Sequence, residues 1–200
     1  DLLSSYMFPH SSGVKILLAP PRPEMADIVT SEHVKVVLEE LKKMFDYIIV
    51  DTSTVLQDML LTIFDLSERI VLLMTLEIPS IKNVKLFFEV TEALGYPAEK
   101  MTLVINKADR RSGIRAEKIE ESIRHPVAAQ IAMDERTAIL SVNQGVPFVL
   151  SNRSSYISQS VFDLARRLIQ DLEIKEAAAE PAATGEARDK SMGGFGLLFR

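Results

Sequence analysis

Asp46-Tyr47-Ile48-Ile49-Val50-Asp51-Thr52-Ser53 is the stretch from which the rest of the chain is read. Four apolar residues run unbroken into an aspartate. Such a run is what a strand covered on both faces of a parallel sheet requires. Open α/β sheets place their ligands in the crevice beyond the strand tips, which is where Asp51 falls. A carboxylate there, followed by hydroxyl side chains, can hold Mg²⁺ through water, since Mg²⁺ keeps several waters and needs few protein oxygens. The plain alternative is a strand-end aspartate capping the next helix.

Working outward, residues 14–19 form a short apolar run stopped by Pro20, Pro21 and Pro23, and so predict a buried strand entering a rigid loop. From Ser31, apolar residues recur at helical spacing through Phe45, with Thr30 or Ser31 as the cap. A helix over about 56–64 follows, then a strand at 69–75 and a helix from Ser80 to Gly95. Residues 101–106 and 127–131 predict two more strands, and 135–142 and 155–172 two more helices. Strands separated by helical patterns imply right-handed βαβ units. The expected fold is therefore α/β: a mostly parallel sheet with helices on both faces. No hairpin turn signal stands between the strands. Residues 1–174 read as one domain, and 175–200 as a flexible tail rich in Ala, Glu and Pro with a short apolar end.

The totals narrow the function. A net charge of −5 argues against a general nucleic-acid binder, which needs clustered basic charge. The chain has no cysteine, which excludes disulfides, thiolate metal sites and a cysteine nucleophile, and suits a reducing cytoplasm. No apolar run approaches the ~18 residues that span a bilayer. His10, His33 and His125 stand apart with no carboxylate at ligand spacing, and Ser53 and Ser151 lack triad partners. The basic residues Lys107, Arg110, Arg111 and Arg115 read as a solvated loop or a partner contact.

Three predicted strand tips carry polar residues: Asp51, Thr75 with Glu77 beyond it, and Asn106. In a parallel sheet these tips share one rim and can line a nucleotide pocket. The Asn106 carboxamide donates and accepts in one plane, which suits an adenine edge; it also suits the closing of a strand-to-loop turn. Asn106-Lys107-Ala108-Asp109 spells a guanine-reading pattern as well. The glycine expected three residues after the strand-end aspartate of a GTPase is Thr54 here, which ranks GTP below ATP.

Residues 13–24, 45–52 and 104–107 together resemble the CpaE/TadZ branch of the MinD/ParA ATPases, and the resemblance runs over about residues 1–172. It implies a deviant Walker P-loop fold, ATP with Mg²⁺ as cofactors, and ATP-dependent homodimerisation. It further implies a role in localising or assembling Flp (tight-adherence) pili, with the pilus-assembly machinery as partner. By position, Asp51 matches the family's Walker B aspartate and Asn106 its adenine-contacting asparagine. Residues 131–134 sit where the family often has Ile-Pro-x-Asp near the base, which places Met133 beside it; Ala132 replaces the proline. The family's glycine-rich phosphate loop with its lysine is not found in these residues, and isolated glycines cannot form such a nest. Since the chain opens on Asp1, it is expected to be the C-terminal part of an ATPase domain that does not hydrolyse ATP by itself. A scaffold that keeps the fold without hydrolysis is the rival from another class.

In the tail, Met192, Phe195 and Phe199 can form one apolar face, as in the membrane-targeting tails of MinD relatives. Burying each gains roughly 1.5–3 kcal/mol, while three glycines in a helix cost about 1 kcal/mol apiece. One copy is expected to touch a membrane weakly and two copies usefully. The expected location is the cytoplasm, peripheral to the membrane's inner face.

Overall fold

The most buried element is the strand over Met101–Ala108 (β4), because its apolar run meets side chains on both faces. Leu103, Val104 and Ile105 are all fully buried in the computed structural model, which describes residues 2–109 and 113–179. Leu103 and Ile105 point to one face, and Val104 to the other. β3 (Ile70–Met74) and β5 (Val127–Ala132) flank β4, both parallel to it, in the order β3-β4-β5. Registers run Ile70↔Met101 through Met74↔Ile105, and from Leu103↔Val127 to Ala108↔Ala132 with shifts between Leu103 and Val104 and between Ile105 and Ala108.

Two crossovers build this sheet. α4 (Ile78–Ala93) links β3 to β4, and α5 (Ala116–Ile123) links β4 to β5. Successive right-handed crossovers in one direction leave both helices on the same face. There Met74, Val84, Leu103, Ile105, Ile119 and Ile123 form one cluster. The other face is covered by α6 (Glu135–Gln144), α7 (Phe148–Ser151) and α8 (Tyr156–Ala179). Ile157, Val161 and Leu164 of α8 press on Val104 and Ile131, with Ala138 and Phe148 beside them. The parallel α/β fold with helices on both faces is thus what the periodicity predicts.

The described residues divide into two compact units between Leu66 and Ser67, and the sheet lies wholly in the second. The first unit centres on α2 (Ser31–Leu41) against α3 (Asp58–Leu66). Leu38, Leu41 and Ile63 are its buried residues. Thr30 caps α2: its hydroxyl accepts from the His33 N–H at 3.2 Å, and His33 Nδ1 accepts from the Thr30 N–H, a reciprocal capping box. The chain enters α2 by way of the single-turn helix α1 (Pro23–Ala26).

Two expected strands of this unit differ from the reading above. The run 14–19 supplies only β2 (Lys15–Ile16), which pairs antiparallel with β1 (Phe8–Pro9) as an exposed hairpin. Gly13, at φ +93°, closes the turn, with its N–H on the His10 carbonyl at 3.0 Å. The run 47–50 belongs to no ladder. Ile48 packs against the Leu38/Leu41/Ile63 cluster while Ile49 is 96% exposed. A strand is defined by its ladder as much as by its composition, and this run has composition without a neighbour among the described residues. At the other end α8 continues to Ala179, so residues 175–179 of the expected tail are helical. Met192, Phe195 and Phe199 lie outside the described residues. No described helix is long and apolar enough to cross a membrane.

Candidate functional site

The carboxyl ends of β4 and β5 make the most built rim of the second unit. Between the pairs Ile105↔Gln130 and Ala108↔Ala132, β4 spends three steps where β5 spends two. The extra residue is a bulge at Asn106 and Lys107, and Lys107 takes a left-handed φ of +52°. The Asn106 Oδ1 accepts from the Lys107 N–H at 2.9 Å. That contact fixes which end of the carboxamide is oxygen. Asn106 therefore sits in a bulge two residues before the end of β4, not at a strand-to-loop turn, and offers its Nδ2 donors and one lone pair there. The expected strand tip at Asn106 is thus corrected: the ladder resumes at Ala108 opposite Ala132.

The neighbouring loop is clipped from three sides. The Met133 N–H donates to the Ala108 carbonyl at 3.1 Å, tying the loop to β4. The Ala132 N–H donates to Ser160 Oγ on α8 at 3.3 Å. Asp134 caps α6, its Oδ1 accepting from the Thr137 N–H at 3.0 Å. Hydrogen bonds from Thr137, side chain and then backbone, hold the Asp134 carboxyl below the ordinary carboxylate range. These clips leave the Met133 side chain about half exposed, at 46%, beside the bulge. Ser160 was missed in the sequence, although a hydroxyl on the inward side of an apolar helix face was a signal for it. Its partner also accounts for Ala132, since a proline there has no N–H to give.

Beside this rim, the Thr75 N–H donates to Ser80 Oγ at 3.0 Å, and Glu77 is the N-cap residue of α4. Lys107, in the β4 bulge, and Arg115, the N-cap residue of α5, are both exposed, while Arg110 and Arg111 fall outside the described residues. Each histidine has local work: His10 in the hairpin turn, His33 in the capping box, and His125 stacked on Phe88 at 4.4 Å. At the amino ends of the strands a separate cavity is lined by Arg69, Glu99, His125, Arg167 and Asp171. There Arg69 donates to the Glu99 carbonyl and Arg167 to that of Ala128.

Asp51 lies in the first unit, exposed, outside any helix or strand. No group of three or more metal-ligating side chains occurs among the described residues. A lone exposed carboxylate followed by Thr52 and Ser53 fits Mg²⁺ held through water with phosphates supplying further oxygens, and is too little to hold the ion alone.

No protein-family model matches the chain. In sequence it is similar to the septum site-determining protein MinD of Thermotoga maritima, 27% identical over 161 residues. That likeness takes in 78% of this chain and 59% of the relative, so the chain spans about three-fifths of that protein's length. In fold it is similar to the ParA family ATPase from Chlorobium tepidum TLS, with a TM-score of 0.77 at 21% identity over 82% of this chain and 68% of the other. MinD of Pyrococcus horikoshii OT3, solved with Mg-ADP, gives a TM-score of 0.70 at 19% identity, over 88% of this chain and 70% of its own.

Proposed function

We propose that this chain, a homologue of the MinD/ParA ATPases, is the base-binding portion of a nucleotide-controlled localisation switch of the CpaE/TadZ type. The observation that carries the reading is the bulge that presents Asn106 beside the clipped loop at Met133. Adenine lies against this rim, with Asn106 Nδ2 donating to a ring nitrogen and the Met133 side chain lying against the base. Asp51 would hold Mg²⁺ through water, and the ion would supply charge shielding for a nucleotide's phosphates. Binding drives a homodimer that serves the assembly or placement of Flp pili. The apolar end at Met192, Phe195 and Phe199 adds a weak contact with the inner face of the membrane.

Calorimetric titration of MgATP into the longest form of the protein containing these 200 residues tests the metal role. Asp51→Ala is expected to abolish the dependence of affinity on Mg²⁺, and an unchanged dependence removes that carboxylate from the site. GTP is expected to compete poorly, and equal competition would favour the GTPase pattern instead. Tight binding without turnover would assign the scaffold role. Deleting residues 193–200 is expected to lower sedimentation with anionic liposomes; unchanged sedimentation rejects the membrane contact.

A further inference from the structure

The cavity at the amino ends of the strands gathers charged residues that do not pair with one another. Arg69 stands just before β3, and alternation puts it on the face of Val71, which sits opposite Thr102. Thr102 shares the β4 face of Val104, the face that α8 covers. Arg167 and Asp171 of α8 line the same cavity, with Glu99 from the turn before β4. Its volume is about 220 Å³, below the ~300–1,000 Å³ typical of drug-sized ligands and too small for a nucleotide.

Each guanidinium is anchored by backbone. Arg69 Nη1 donates to the Glu99 carbonyl and Arg167 Nη1 to that of Ala128, which leaves the other donors of both forks over. Neither arginine forms an ion pair among the described residues, although two acidic residues line the cavity with them. Arg69 Nε is buried without a partner. Thr102, only 6% exposed, has no side-chain hydrogen bond among the described residues. A buried donor left unmatched is costly, so this place is short of an acceptor. His125 adds no spare group, since its ring nitrogens face the carbonyls of Pro126 and Ala98. Two arginines with two acidic residues leave no net charge to draw a bare anion, and suit a ligand that carries both signs.

We propose that this cavity binds a small zwitterion carrying one carboxylate and one ammonium group, as a free amino acid does. The ligand's carboxylate takes the spare donors of Arg69 and Arg167, the planar match that guanidinium groups favour, and the Thr102 hydroxyl adds a third donor. Its ammonium, which only donates, turns to Asp171. A ligand bearing one charge alone leaves the opposite side of the cavity unserved, which is the source of selectivity. The site lies at the other end of the strands from Asn106 and needs no nucleotide, so its failure leaves the reading of the β4–β5 rim standing.

Amide chemical-shift mapping by NMR tests this on the longest form containing the chain, without nucleotide and with L-alanine as the probe. N-acetyl-alanine, which lacks the ammonium, alanine amide, which lacks the carboxylate, and inorganic phosphate are the comparison ligands. L-alanine is expected to give saturable shifts at Thr102, Ala128 and Asp171. Each comparison ligand is expected to bind about tenfold more weakly or worse. No saturable shift with L-alanine overturns the proposal, and so does any comparison ligand that binds as tightly. Asp171→Asn is expected to weaken L-alanine by about tenfold and leave N-acetyl-alanine unchanged, because only the former has an ammonium to lose. Arg69→Gln is expected to weaken both. An Asp171→Asn variant that loses both ligands equally, or neither, overturns the assignment, and this readout stands whether or not Arg69→Gln folds.

Discussion

Asn106 shows how one backbone defect makes a side chain available. Without the bulge, period-two alternation would set its side chain by the plain ladder; with it, Lys107 turns left-handed and Asn106 is held by its neighbour's N–H. Ala132 and Ser160 form a second such pair. Ser160→Ala is expected to cost about 0.5–1.5 kcal/mol of the second unit's stability, since the Ala132 N–H then loses its acceptor. The shift of the urea midpoint measures it, and no shift would mean that water replaces the hydroxyl. Asp134 gives a pH signature. Its carboxyl is held below its ordinary value of 3.8 by Thr137, so the cap it provides is fully present above that value. The cap is lost only as pH falls further, through the lower folded value. The Thr137 amide shift, followed by NMR, is expected to titrate below pH 3.8, and titration at or above 3.8 contradicts the assignment.

At the scale of elements, caps and the central strand dominate. Thr30→Ala removes one half of the capping box on α2 and is expected to cost about 1 kcal/mol, with Thr30→Ser recovering most of it. Far-UV circular dichroism against urea reads both variants, and equal midpoints for wild type and Thr30→Ala would reject the cap. Leu103→Ala in β4 is expected to cost about 2–5 kcal/mol, because packed neighbours on the α4/α5 face cannot close the space. α2 and α8 were legible in the sequence because each carries its own apolar stripe, Val34, Leu38 and Leu41 in the one and Ile157, Val161 and Leu164 in the other, whereas the four-residue α1 and α7 are too short to show a period and were not expected. β3 and β4 were legible because each carries an unbroken apolar run, although Val71 and Leu73 of β3 are exposed, and β5 because only Gln130 interrupts its apolar residues. The bulge was not, since it is a property of two paired strands, and nothing in Asn106-Lys107 announces it. The run 47–50 misled for the same reason: composition cannot say which neighbour completes a ladder. The hairpin at Gly13 lacked the usual two-residue turn pair that marks such turns.

At the scale of the molecule, each of the two units carries candidate residues of its own. Asn106 and Met133 stand on the sheet of the second, and Asp51 on the first. Hydrogen exchange is expected to be slowest in β4, whose centre is sealed on both faces, and fast at residues 48–50, which belong to no ladder. Equal protection of these two segments in the 200-residue chain would contradict the packing described. The likeness to MinD and ParA ATPases sets the fold, and the chemistry argued for the rim rests on three local contacts: Asn106 with Lys107, Met133 with Ala108, and Ala132 with Ser160. The most direct test is amide chemical-shift mapping by NMR as MgATP is added to the longest form containing this chain. The largest shifts are expected at Asn106, Lys107 and Met133. Shifts confined to the opposite end of the strands, around Arg69, His125 and Arg167, would contradict adenine binding at the β4–β5 rim.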